Sequence, residues 1–120
     1  MGDLPSFGDR QVYGGALAAP TYIDARVLAT AGTAETVTVP TGACIVIFVP
    51  LYEDTVFFAR YDGSAAAAPS GDVSDGTSSE PNPLIRDVRN VATFSLVSPM
   101  AGATISMLFY SDEAELDIRQ

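Results

Sequence analysis

From residue 25 onward the chain is a succession of short apolar runs, each closed by Gly, Pro or acidic residues. In "ETVTV", Thr36 and Thr38 alternate with Val37 and Val39, the period of two expected of a strand buried on one side. Pro40, Thr41 and Gly42 turn the chain into "ACIVIFVPL", a continuous β-branched run of the kind found where both faces of a strand are buried. In "VFFARY", Val56, Phe58 and Arg60 share one face while Phe57, Ala59 and Tyr61 share the other. Arg60 is expected to lay its stem over apolar surface while its head finds a carboxylate or solvent. "ARVLAT", "LIRDV", "ATFSLV" and "ATISMLFY" bring the count to about seven strands, the last two divided by the turn "SPMAG". No stretch sustains a helical period, since residues 113–119 offer a single turn, too short to hold by itself.

Many short strands with Gly and Pro turns, and no alternating helices, predict an all-β antiparallel sandwich with a jelly-roll-like path. An immunoglobulin-like sandwich is the alternative, although the Cys and Trp hallmarks of antibody domains are missing. A weak echo links "VTVPTGACIVIF" and "LVSPMAGATISMLF", each reading strand, Pro, Gly-Ala and apolar strand. It fits either a duplicated hairpin or turn chemistry that arose twice. Residues 1–24 mix Gly, Pro and isolated aromatics without a period and are expected to form an extended N-terminal arm, because Gly14, Gly15 and Pro20 would interrupt a helix. The sandwich is expected over residues 25–111 with a long loop at 62–83, followed by an acidic tail at 112–120.

Charge narrows the function. The 120 residues carry a net charge of −9, and all six cations are arginine. A chain so acidic, with its arginines dispersed, lacks the basic face that nucleic-acid phosphates require. Histidine and lysine are absent, which removes Ser-His-Asp hydrolysis, most zinc chemistry and the lysine of a phosphate-binding loop. Cys44 is the single cysteine, so no internal disulfide forms; within "CIVIFV" it reads as a small buried hydrophobe. No apolar run approaches the ~20 residues of a membrane helix. The N-terminus shows neither a basic start nor an apolar core of a signal peptide, so the chain is expected to be cytosolic when made.

Four groups could still carry chemistry. In the loop, Asp62, Asp72, Asp75 and Glu80 are hard oxygen ligands of the type calcium prefers. Counting Asp72 as a first ligand, however, puts Gly76 fifth rather than sixth in an EF-hand frame and leaves the twelfth position without a ligand. Glu53 with Asp54, and Asp112 with Glu113, are sequence neighbours, which point apart on a strand instead of facing each other across a cleft. The aromatic set Phe48, Tyr52, Phe57, Phe58, Tyr61, Phe94, Phe109 and Tyr110 could stack on sugars, but most members lie within strand runs and read as core. Neither an enzyme nor a cofactor or metal site is therefore expected. What remains is contact. Phe7, Tyr13 and Tyr22 are isolated anchors in the arm, of the kind that order against a partner. Pro69, Pro81 and Pro83 favour a fixed path for the long loop, whose Asp72 and Asp75 are candidate contacts with a neighbouring subunit.

The stretch "VTVPTGACIVIF" with "FFARYDGSAAAAPSGDVSDGTSSEPNP" and "ATFSLVSPMAGATISMLFY" resembles small structural proteins of tailed bacteriophages and gene transfer agents. Such proteins show a Pro and Gly turn into a strand, an aromatic and Arg strand, an Ala, Pro and Ser loop ending in "NP", and a closing strand pair. The likeness spans about residues 25 to 110. It implies a virion component, a head decoration (cement) protein of a kind that is often trimeric and binds the major capsid protein. Such a protein is made in the host cytoplasm and ends in the phage head. Head-spike bases, tail components and carbohydrate-binding receptor modules are the alternatives in this size class.

Overall fold

The computed structural model describes residues 19–111, so Phe7, Tyr13 and the tail at 112–120 lie outside the described residues. Eight strands are found there: β1 (Tyr22–Leu28), β2 (Glu35–Thr38), β3 (Ile45–Pro50), β4 (Phe58–Arg60), β5 (Glu80–Pro81), β6 (Ile85–Asp87), β7 (Thr93–Val97) and β8 (Ala103–Tyr110). Seven answer to the apolar runs, and β5 lies inside the stretch expected as loop. β1 begins at Tyr22, because Tyr22, Ile23 and Asp24 stand in register with Phe109, Leu108 and Met107. Three residues of the expected arm thus belong to the sheet. Their pattern hides this because β1 is an edge strand whose inner face carries polar Asp24 and Arg26.

The strands make two antiparallel sheets of four, in the orders β1-β8-β3-β6 and β2-β7-β4-β5. Pairing is nested: β1 with β8, β2 with β7, β3 with β6 and β4 with β5. The chain is thus one long hairpin with its tip at β4 and β5, rolled so that β3 also meets β8 and β4 meets β7. Both copies of the sequence echo sit at equivalent corners, β2 to β3 and β7 to β8, where the chain crosses between sheets. The flanking strands are not paired with each other, so neither corner is a hairpin. Gly42 and Gly102 take φ of 85° and 82° there, a region that a Cβ disfavours. Ala43 and Ala103 follow and are buried, small enough to tuck beneath each turn.

The inner faces meet in one core. Val46 and Phe48 from β3 and Ile105, Met107 and Phe109 from β8 pack against Val37, Phe94, Leu96, Ala59 and Phe57. Phe48 sits centrally, its ring 5.8 Å from Phe57 and 5.6 Å from Phe94 in tilted and edge-on geometry, which suits aromatic quadrupoles better than face-to-face stacking. The alternation in "ETVTV" and "VFFARY" follows the predicted faces, with Val37, Phe57 and Ala59 inward. The run "ACIVIFVPL" does not. Val46 and Phe48 are buried, but Ile45 and Ile47 are half-buried and Val49 is exposed. β3 is central within its sheet, yet its outward side chains are only partly covered.

An arginine spans each lateral edge of the sandwich. Arg26 on β1 donates Nη1 to the Thr36 carbonyl at 3.2 Å and Nε to Asp24 Oδ1 at 3.0 Å. Glu35 Oε1 stands 3.9 Å from the same guanidinium. Arg86 on β6 donates Nε to both Glu80 oxygens, at 3.0 and 2.8 Å, and its Nη2 pairs with that carboxylate too. β1 therefore lies over β2 and β6 over β5. Their aliphatic stems roof the core edge while the charged heads stay near water.

Candidate functional site

The segment between β4 and β5 is the tip of the rolled hairpin, and it is tied down at both ends. The Ala66 N–H donates to Ser95 Oγ at 2.9 Å, and the Ala67 N–H donates to Ser79 Oγ at 3.0 Å. Ala66, Ser79 and Ser95 are all buried. Ser95 points outward from β7, since Phe94 and Leu96 face the core, so the loop lies over the outer face of that sheet. Beyond the second tie, Asn82 holds the exit. It takes φ of 38°, accepts the Phe57 N–H at Oδ1 (3.1 Å) and donates Nδ2 to the Thr55 carbonyl at 2.8 Å. Its own N–H donates to the Phe57 carbonyl at 2.8 Å. Asn tolerates the left-handed region because its amide bonds the local backbone.

The loop's carboxylates serve the loop. Asp62 accepts from Arg60 Nε at 3.0 Å and from the Ser64 N–H at 3.0 Å. Asp75 Oδ1 accepts the Thr77 hydroxyl at 2.6 Å and the Thr77 N–H at 3.0 Å. These bonds hold both carboxyl groups below the usual carboxylate range, Arg60 leading for Asp62 and the Thr77 hydroxyl for Asp75. Glu80 is lowered chiefly by its hydrogen bonds from Arg86. Tyr61 packs on Phe94, with ring centroids 5.9 Å apart, and donates its hydroxyl to Glu80 Oε1 at 2.7 Å. Burial, then that bond, pushes the phenol far above its ordinary value. Between β4 and the loop lies an open depression of about 360 Å³, lined by Arg60, Tyr61, Asp62, Gly76, Thr77 and Glu80 among others. Its polar groups are already engaged, Arg60 with Asp62, Tyr61 with Glu80 and Thr77 with Asp75, an arrangement that fixes the loop's shape.

Of the predicted contact residues, Tyr22 is exposed on β1 with its ring edge 6.2 Å from Phe109. Asp72 and Asp75 lie in the exposed arc at residues 69–78. Strand order puts Tyr22 and this arc on different sheets, so the fold does not bring them together. Among the described residues no three Cys, Asp or Glu side chains converge on a point that would hold a metal. Glu53 and Asp54 are exposed in a turn, and Asp112 and Glu113 fall outside the described residues. Of the aromatic set, Phe48, Phe57, Phe94 and Phe109 are core, while Tyr52 is exposed. Cys44 is buried and free, its thiol 3.4 Å from the Ser111 carbonyl. Sequence reasoning missed Ser79, Asn82 and Ser95, the residues that set the loop's path. Only Asn82 had a visible signal, an Asn before Pro at the end of a turn-rich run.

Comparison with family models, with curated proteins and with solved structures finds no match to this chain.

Proposed function

We propose that this chain is a non-enzymatic structural subunit of a virion, a head decoration or cement protein that binds where major capsid subunits meet and stabilises the head. The observation that carries the reading is the nested strand pairing. It supports a jelly-roll path, an architecture that viral capsid and lectin domains use. The resemblance to phage and gene-transfer-agent proteins supplies the particle. The mechanism is added interface area across capsomer junctions, from a rigid sandwich that presents a shaped loop. Asp72 and Asp75 on the exposed arc, Tyr22 on β1, and Phe7 and Tyr13 before it are the contacts this reading uses. It needs no cofactor, nucleic acid or membrane, and it places a symmetric oligomer, a trimer, on the head after synthesis in the host cytoplasm.

Co-sedimentation with assembled capsids tests it. The full chain should bind, and a variant lacking residues 1–18 should bind weakly while keeping its unfolding midpoint. The deletion stops there because Tyr22 already belongs to β1. Failure of the full chain to sediment with capsids would sink the reading. Glycan-array binding without capsid association would instead assign the chain to a spike or tail receptor, with the depression beside Tyr61 as its site.

A further inference from the structure

Two Asp-Gly steps occur in the chain, Asp62-Gly63 and Asp75-Gly76, and both lie in the loop between β4 and β5. Their local geometry is alike. Each aspartate accepts at Oδ1 the N–H two residues on, from Ser64 and from Thr77, both at 3.0 Å. Such a bond folds the carboxyl group back over the intervening peptide, which brings Cγ toward the glycine nitrogen. Gly63 and Gly76 take φ of 90° and 85°, and without a Cβ they leave that nitrogen open to approach. All four residues are exposed, so water reaches both steps. What differs is the hold on the carboxyl group. Arg60 Nε donates to both oxygens of Asp62, at 3.0 and 3.1 Å. Asp75 has no arginine in ion pair with it among the described residues. Its bonds from the Thr77 N–H and from the Thr77 hydroxyl, the latter at 2.6 Å, both fall on Oδ1.

We propose that Asp75 is a modification site, converting spontaneously to isoaspartate, and that Arg60 protects Asp62 from the same reaction. The Gly76 nitrogen attacks Asp75 Cγ. A C–N bond forms, the Cγ–Oδ2 bond breaks, and Oδ2 leaves as water with the carboxyl proton and the amide proton. A second water opens the resulting succinimide. Addition at Cγ restores aspartate, whereas addition at the α-carbonyl gives isoaspartate, whose main chain runs through Cγ. Water is the only co-reactant, and nothing is oxidised or reduced. Thr77 assists, because two donors on Oδ1 stabilise the charge that grows on that oxygen as nitrogen adds, while Oδ2 is left to depart. At Asp62 the guanidinium binds both oxygens, including the one that must leave. It also favours the carboxylate, from which no water can depart, and a charged donor does so about twice as strongly as a neutral one. Conversion at Asp75 inserts a methylene into the main chain and takes the carboxylate away from Thr77, so it reshapes the exposed arc at 69–78.

The inference concerns the loop of the free protein and does not rest on the virion reading. Its test is incubation of the full chain at mildly acidic pH, folded and in parallel unfolded in urea. Protease digestion and electron-transfer fragmentation in a mass spectrometer then separate isoaspartate from aspartate at each position. In the unfolded chain the two Asp-Gly steps should convert at similar rates. In the folded chain Asp75 should convert at least about tenfold faster than Asp62, the lower bound for a hydrogen bond to a charged group expressed as a rate. Thr77→Val keeps the N–H and removes the hydroxyl, so it should slow conversion at Asp75 by about three- to tenfold, the worth of one ordinary hydrogen bond, and leave Asp62 unchanged. Arg60→Gln should speed Asp62 by at least about tenfold and leave Asp75 unchanged. Equal conversion of the two steps in the folded chain, a faster Asp62, or no isoaspartate at Asp75 overturns the inference. So does an Arg60→Gln variant in which both positions speed up together, since that is a general loosening of the loop and not release of one carboxyl group.

Discussion

The backbone N–H of Ala66 donates to Ser95 Oγ at 2.9 Å across 29 positions of sequence, with both residues buried. This bond lays the hairpin tip on the outside of β7. Ser95→Ala leaves the N–H without its acceptor, at a cost of about 1–3 kcal/mol. In urea denaturation that loss should appear as a lower midpoint. Limited proteolysis should cut residues 67–78 faster than in the parent, and unchanged cleavage would show that the tie does not hold the loop.

Asn82 combines a positive φ with two side-chain bonds, to the Phe57 N–H and the Thr55 carbonyl. Asn82→Ala loses both and forces a Cβ-bearing residue without local bonding into the left-handed region, about 2–4 kcal/mol in sum. Asn82→Gly loses the bonds but relieves the backbone, so it should be the milder change. Equal losses for the two variants would remove backbone conformation from the explanation.

Phe48 bridges the two sheets through Phe57 and Phe94. Phe48→Ala should destabilise by about 3–5 kcal/mol, the range for deleting a fully buried ring. Tyr52→Ala, on an exposed turn, should stay within about 0.5 kcal/mol. Chemical denaturation of the two variants compares core with surface directly.

Without histidine, no side chain of ordinary pKa titrates between about pH 5 and 8, so the unfolding midpoint should be flat there. Glu80, Asp62, Asp75 and Asp87 sit below their ordinary values of 4.5 and 3.8, Asp87 at about 2 through its bonds from Arg89. A lowered carboxylate stabilises the fold fully above its unfolded pKa, and that contribution is lost as pH falls through the folded one. Stability should therefore decline below pH 4.5, and a decline beginning near pH 6 would contradict the assignment.

Tyr61 titrates the other way. Its phenol is raised above 10.0 by burial and by Glu80, so its contribution is complete below pH 10 and is lost as pH rises toward the folded value. In ultraviolet titration of the folded protein, Tyr61 should resist ionisation until the chain unfolds. Tyr61→Phe should lower the amplitude of late ionisation by one tyrosine.

Seven strands and the inward faces of β2 and β4 were legible in the sequence, because a strand buried on one side imprints a period of two on its own residues. The absence of histidine and lysine, with the acidic balance, likewise narrowed the chemistry before any fold was known. What local pattern could not contain was register. Ile23, Leu108, Ile47 and Ile85 are scattered along the chain, and only hydrogen bonding across β1, β8, β3 and β6 aligns them into a row. The same limit explains "ACIVIFVPL", whose apolar run predicts burial on both faces although Ile45, Ile47 and Val49 on one face stay partly or largely exposed. It also explains the loop, where Ser95 lies far from the residues whose path it sets. Strand identity follows from neighbours in sequence, whereas the outer faces and the loop's position follow from contacts between distant residues, which only the folded chain brings together.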